Sequence, residues 1–229
     1  MSKPDTLSYT IRRAAATPRL DGDWDSPLWK RAQTITIDRF RPESSDHRPV
    51  TRARVLYDAE QLYVMFRVED QYVRCLTTAY QGPVYEDACV EFFVQPRRDK
   101  GYFNFEMNCG GALLLRNVTD PTRIGDELTE FTNVPWRLAS QIHVFHSMPQ
   151  VVEPEIEDHV TWVVEYSVPF TLFEEVIGPL GDVAGQEWSG NFFKCAETNS
   201  HPHFASWAPI GPELNFHQPD CFAPISFEP

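Results

Sequence analysis

The feature that most constrains this chain is a two-residue hydrophobic period that returns in segment after segment. Leu62, Val64, Phe66 and Val68 alternate through one stretch, Val90, Phe92 and Val94 through a second, and Phe103, Phe105 and Met107 through a third. Val160, Trp162, Val164, Tyr166 and Val168 repeat the pattern further on. A strand sends successive side chains to opposite faces, whereas a helix would scatter these positions around its circumference, so the pattern predicts half-buried strands. Residues 52–58 and 62–70 read as a hairpin around Ala59-Glu60-Gln61. Residues 88–95 form a strand ended by Pro96, and 101–108 turn through Gly110-Gly111 into 112–116. Later strands are read at 141–147 and 159–168, with short helical turns at 28–32 and 171–177, the second stopped by Gly178-Pro179. Stretches 41–49 and 118–125, rich in Pro, Asp and Ser, read as connecting loops. The fold class expected is all-β: an antiparallel β-sandwich with jelly-roll or immunoglobulin-like layers and short peripheral helices.

At 229 residues the chain is long enough for one large sandwich domain spanning 1–229. Lys and Arg number 20 against 33 Asp and Glu, a net charge of −13. Such a surface repels nucleic-acid phosphates and anionic lipid, which argues against both as partners. Apolar runs fall well short of the roughly 20 residues of a membrane-spanning helix, and Met1-Ser2-Lys3-Pro4-Asp5-Thr6 carries no apolar stretch behind its lysine. A cytoplasmic location is the expectation. The five cysteines, Cys75, Cys89, Cys109, Cys195 and Cys221, are odd in number and lack C-x-x-C spacing, so reduced, buried thiols are expected rather than a disulfide framework or a zinc knuckle.

Asp21, Asp23 and Asp25 invite a calcium reading, but Ser26 stands where an EF-hand needs Gly and Ala32 where it needs Glu, so turn formation and capping account for them better. His201, His203 and His217 lack companions at metal-ligand spacing and read as structural or rim groups, so no metal site is assigned. The chain contains no nucleophile elbow, phosphate loop or H-E-x-x-H helix.

A series of motifs carries a family resemblance. Leu20-Asp21-Gly22-Asp23-Trp24-Asp25, followed by Trp29 and Ala32, resembles the opening of carbohydrate-binding module family 9. In order come Val55-Leu56-Tyr57-Asp58, Leu62-Tyr63-Val64, Val68-Glu69-Asp70 and the run Pro83 to Phe93. Tyr102 to Asn108, Asn191 to Cys195, His201 to Ile210 and Asn215 to Phe222 are similar to further family segments, although Ala223 replaces a common Gly. The resemblance covers roughly 18–228 and implies a sandwich related to DOMON-like sugar and haem binders, with structural calcium in some relatives. It implies noncatalytic carbohydrate binding, with a sugar gripped between aromatic rings.

A sugar ring offers C–H faces to aromatic planes and hydroxyls to acceptors and donors at its rim. By the resemblance, Tyr85 matches one aromatic wall and Phe216 falls near the other. Glu91 sits on the non-core face of its strand, and Asn104, Glu106 and Asn108 share one face of the next. Lys194, opposite in face to Phe193, and His217 complete the candidate carbohydrate-binding set. Ordinary packing is the competing account for Tyr85, Phe216 and Trp207, and a solvated strand face for the carboxylates. Two alternatives remain: a glycoside-processing enzyme pairing Glu91 with Glu106, and a haem-binding electron-transfer domain with ligands among Met65, Met107, Met148, Lys194 and the histidines.

Overall fold

The computed structural model describes residues 7–125 and 127–229. The period-two segments form strands as the alternation requires. In chain order these are β1 (Tyr9–Arg13), β2 (Ile35–Ile37), β3 (Arg39–Phe40), β4 (Val50–Tyr57), β5 (Gln61–Asp70), β6 (Val73–Cys75) and β7 (Cys89–Gln95). The chain continues through β8 (Tyr102–Asn108), β9 (Leu113–Ile124), β10 (Glu127–Asn133), β11 (His143–His146), β12 (Val152–Ile156) and β13 (Val160–Pro169). The last strands are β14 (Glu187–Ala196), β15 (His203–Ser206) and β16 (Ala223–Phe227), and the α-helices are α1 (Trp136–Ala139) and α2 (Phe170–Ile177).

One sheet runs β10-β9-β8-β7-β14-β16-β1 and the other β1-β4-β5-β13-β11. They are joined along one edge by β1, whose Tyr9–Ile11 pair with β16 while Arg12 and Arg13 pair with β4. β2 pairs with β4, β15 continues beside β14 and carries β3, and β6 pairs with β12. The inward faces meet in the main apolar core. There Phe92 and Phe192, cross-strand partners, stack with centroids 4.4 Å apart. α2 closes one end, its Phe173 packing edge-on against Phe103 at 4.9 Å. A second cluster of Trp29, Leu56, Tyr63 and Met65 lies on the outer face of the β4–β5 sheet, beneath Leu20, Trp24 and Leu28.

Some elements depart from the sequence-based expectation. The stretch 118–125 is not a loop: β9 runs to Ile124 and pairs back with β10, with register shifts near Glu130. β1 and α1 lie in segments with too little alternation or length to announce themselves. The expected turn at 28–32 is a short 3-10 turn over Trp29–Arg31. Asp21 and Asp23 accept hydrogen bonds from the backbone N–H groups two residues on, as turn formers do.

Lys194 requires the principal correction. In the β14–β7 register Phe193 faces Glu91, but Lys194 faces Val90. Lys194 therefore points into the inter-sheet core, away from Glu91 and Glu106 beside which the sequence reading sets it, and has no exposed surface. Its Nζ donates to the Cys195 carbonyl at 3.0 Å and to His203 Nε2 at 2.7 Å, and lies 3.6 Å from Asp70 Oδ2. Asp70 belongs to β5, so this ion pair links the two sheets. Asp70 also bonds His47 Nε2 at 2.8 Å and accepts from Trp162 Nε1 at 3.0 Å. Burial opposes its charge, but Lys194, His47, His203 and Trp162 together hold the carboxyl well below the usual range.

Because an ammonium only donates, His203 Nε2 must be the unprotonated acceptor while Nδ1–H donates to the His201 carbonyl at 2.9 Å. Burial first, then the Lys194 charge, push His203 down to about 3. An unfolded histidine titrates near ~6.5, so the unfolded chain takes up a proton that the native chain refuses. The stabilisation is complete above that value and is lost as pH falls toward about 3. Urea midpoints should therefore decline between about pH 6.5 and about pH 4.5, with a shallower slope in His203→Gln. Lys194→Met, which strands Asp70 in the core, should cost about 3–5 kcal/mol in urea unfolding at neutral pH.

Candidate functional site

The outward face of β7, β8, β9 and β14 collects the polar groups that the alternation turns away from the core. Glu91 stands directly across from Glu106 in the β7–β8 register, and Phe93 across from Asn104. Asn104 in turn faces Arg116 on β9, and Cys89 faces Cys195 on β14. Strands β7 and β8 are buried on both faces because this outer surface is itself covered. Tyr85 and Phe216 pack over Val84, Cys89, Ala112, Leu114 and Cys195, and each retains partial exposure.

Two local devices set these aromatic covers. Tyr85 rides on a 3-10 turn, Val84–Glu86, that is anchored by the next residue. The Asp87 carboxylate accepts from the N–H groups of Leu76 and Thr77, each at 2.9 Å, and from Asn108 Nδ2 at 2.8 Å. Phe216 lies flat on Phe193, centroids 4.2 Å apart and planes 14° from parallel. Its neighbour His217 bonds the Tyr102 hydroxyl through Nδ1 at 2.7 Å and tilts over Phe93. Burial, then Arg123 and Arg116, push His217 down to about 3, so it is a neutral polar group.

Beneath the aromatics the floor is almost sealed: Glu91 is 3% exposed, Glu106 4% and Asn104 0%. Asn104 donates to Glu106 Oε1 at 2.7 Å and accepts from the Arg116 N–H at 2.8 Å. Burial first, then the neighbouring Cys195 and Glu106, raise the Glu91 carboxyl well above the usual range. Burial also lifts Glu106, to about 7, while Asn104 and Arg116 pull it back. Two facing buried carboxyls cannot both hold charge cheaply, so Glu91 keeps its proton and Glu106 is the one poised to ionise. The Tyr85 phenol is raised by burial, then by Glu197, Glu86 and Glu106, which puts it within the field of this floor.

The structure thus brings Tyr85, Glu91, Asn104, Glu106, Phe216 and His217 to one face, and separates two expected members from them. Lys194 is in the core, as described. Asn108 is on the right face but is committed to the fold: it donates to Thr77 O and Asp87 Oδ2 and accepts from the Ala112 N–H. Trp207 is a core residue, 5% exposed and edge-on to Phe192. Of the haem ligands considered from sequence, Met65 lies apart in the Trp29 cluster, Met107 is packed in the inter-sheet core, and Lys194 and His203 are bonded to one another. Alternation puts Cys89 on the face of Glu91, but sequence reading missed Arg116, which pairs with Asn104, and missed Cys195, which pairs with Cys89. Surface cavities of about 710 and 520 Å³ lie away from the carboxylates, the smaller bordered by Tyr102 and Phe222.

Similarity to known proteins follows this geometry. The model for carbohydrate-binding family 9 matches residues 28–227. The chain belongs to this family. A protein from Bacteroides uniformis whose assignment to carbohydrate binding is provisional is 26% identical, with a TM-score of 0.83 over 98% of this chain and 100% of that one. A family 9 module from Caldicellulosiruptor kristjanssonii, solved with cellotriose, is 13% identical, with a TM-score of 0.63 over 97% of this chain and 94% of that one. The same organism's family 9 module solved with glucose gives 15% identity and a TM-score of 0.59, over 96% of this chain and 95% of that one. These latter two likenesses are of fold. No curated protein sequence matches the chain significantly. Among the described residues no helix is long and apolar enough to cross a membrane.

The double role of Asn108 yields a test of the site's scaffold. Asn108→Leu leaves the Ala112 N–H, the Thr77 carbonyl and one Asp87 oxygen short of a partner, at about 1–3 kcal/mol for each group that stays buried. Chemical denaturation should show a loss of about 2 kcal/mol or more, with Asn104→Ala showing the smaller loss of one donor and one acceptor.

Proposed function

We propose that this family 9 chain binds a carbohydrate, without cleaving it, at the Tyr85–Phe216 cover and the carboxylate and amide row beneath. The observation that carries the reading is the convergence of two partly exposed aromatic rings with Glu91, Glu106 and Asn104 on one strand face. An aromatic plane accepts the C–H face of a pyranose, and a carboxylate and a primary amide are the acceptor and donor that its rim hydroxyls require. The family 9 modules solved with cellotriose and with glucose support a glucose-type ligand for this fold.

The placement of the carboxyls favours binding over hydrolysis. A glycosidase positions its two carboxyls on either side of the scissile bond, one of them with access to water. Glu91 and Glu106 instead lie side by side in the floor of one sheet, nearly solvent-free. A sugar that reaches them must lift Phe216 from its stack on Phe193, so part of the gross contact energy is spent on opening the cover. Affinity in the micromolar to millimolar range follows, corresponding to roughly 4–8 kcal/mol.

Isothermal titration with glucose, cellobiose and cellotriose tests the reading. Saturable binding is expected, weakened about tenfold or more in Tyr85→Ala and in Glu106→Gln, each first checked for native folding by circular dichroism. The absence of heat across a broad panel of mono- and oligosaccharides, or binding unchanged in both variants, would overturn it.

A further inference from the structure

The outer face holds a second arrangement, distinct in chemistry from a sugar platform. Cys89 and Glu91 are two residues apart on β7 and share its outward face, and Cys195 is the cross-strand partner of Cys89 on β14. Register thus brings together two thiols and a carboxyl whose ligand atoms all lie within 4.8 Å of one another. Cys195 Sγ already donates to Glu91 Oε1 at 3.2 Å, across 104 residues of sequence. All three side chains are buried, with Cys89 at 0%, Cys195 at 1% and Glu91 at 3% exposure. The cation next in sequence, Lys194, is turned to the opposite face and paired with Asp70.

We propose that Cys89, Glu91 and Cys195 form a binding site for one thiophilic divalent cation, with zinc the ion this donor set selects. The two soft thiolates favour zinc over magnesium or calcium, and the harder carboxylate is a ligand that zinc also accepts. A tetrahedral zinc with bonds of about 2.3 Å to sulfur holds its thiolates roughly 3.8 Å apart, so the donors need to close by no more than about 1 Å. Three protein ligands leave a fourth position. One backbone oxygen beside the site is the Tyr85 carbonyl, 3.7 Å from Cys195 Sγ, and an ion that took it as a ligand would tie the turn carrying Tyr85 to the sheet. The ion enters by way of the aromatic cover, and both thiols and the carboxyl give up their protons to solvent as it binds. This site stands whether or not the aromatic cover above it takes a sugar.

The test uses the full chain, kept reduced with a phosphine, dialysed against zinc chloride and then against metal-free buffer, with metal content measured by atomic emission. One zinc per chain is expected in the native protein and in Cys221→Ser, and also in Cys75→Ser with Cys109→Ser. Stoichiometric zinc should be lost in Cys195→Ser and Cys89→Ser. Because a buried serine can compromise folding, cobalt(II) added to the native chain provides a second reading. It should give the visible absorption of tetrahedral cobalt together with a near-ultraviolet thiolate-to-cobalt band. No stoichiometric zinc, a cobalt spectrum without the thiolate band, or zinc retained by a folded Cys195→Ser would each overturn the assignment. A chain that binds glucose but no zinc refutes this site alone, and one that binds zinc but no sugar refutes only the sugar reading.

Discussion

The register between β7 and β14 is the constraint on which the rest depends. With Phe193 opposite Glu91 and Lys194 opposite Val90, every polar group of the two strands is assigned to one side of the sheet. A slip of β14 by one residue would turn Lys194 outward toward the carboxyls and drive Phe193 and Cys195 into the inter-sheet core. The inward side then could not form the Phe92–Phe192 stack, and Asp70 on the facing sheet would lose its cation. Hydrophobic burial and ion pairing therefore select the same register. That agreement lets a strand as polar as Asn191-Phe192-Phe193-Lys194-Cys195 sit at the centre of a sheet.

The two faces handle buried charge in opposite ways. On the inner face, Asp70 keeps its charge because Lys194, His47 and Trp162 all face its carboxylate, while Lys194 also donates to the Cys195 carbonyl and His203. A buried pair of this kind contributes little net stability against an apolar pair, but it penalises every arrangement in which the sheets meet differently. On the outer face no such pairing forms between Glu91 and Glu106. They share a desolvated surface with thiols and an amide, and the favoured solution is a proton on Glu91. Groups held neutral by desolvation retain free energy that a suitable ligand can release, which is why polar atoms of this kind concentrate where molecules bind.

Legibility in the sequence followed the range of the interaction. Strands β4, β5, β7, β8 and β13 were readable because alternation is a property of neighbouring residues, and the same alternation correctly placed Glu91, Asn104, Glu106 and Asn108 on outward faces. Strand β9 beyond Val118 was not, since Thr119-Asp120-Pro121-Thr122 has the composition of a loop and is held as strand by its pairing with β10. Lys194 shows the next limit. Its face relative to Phe193 was plain, but which face belonged to the core depended on the cross-strand partner, and nothing local in the sequence names Val90. Alternation shows the face of Asn108 but not its bonds, because its three partners, Thr77, Asp87 and Ala112, come from turns whose closure is a tertiary event. The meeting of Cys89, Glu91 and Cys195 lies furthest from view, since spacing rules find ligands in one loop or helix and this set spans two strands far apart in the chain.

The layering of the outer face gives the cover a second meaning. Tyr85 and Phe216 pack against the cluster that holds Cys89 and Cys195, and Cys195 reaches both the Tyr85 carbonyl and Glu91. An occupant above the rings and an ion below them would therefore act on the same short turn, Val84–Glu86, from opposite sides. Whatever fixes that turn lowers the ordering cost of a ligand stacked on Tyr85, because a ring already held in place loses less freedom on binding. The coupling runs both ways by thermodynamic necessity: a ligand that draws Tyr85 away from the sheet weakens the lower site by the factor by which the lower site weakens it. The sheet supplies the floor for this exchange, and Tyr85 and Phe216 on their two segments are what an occupant of the upper site displaces.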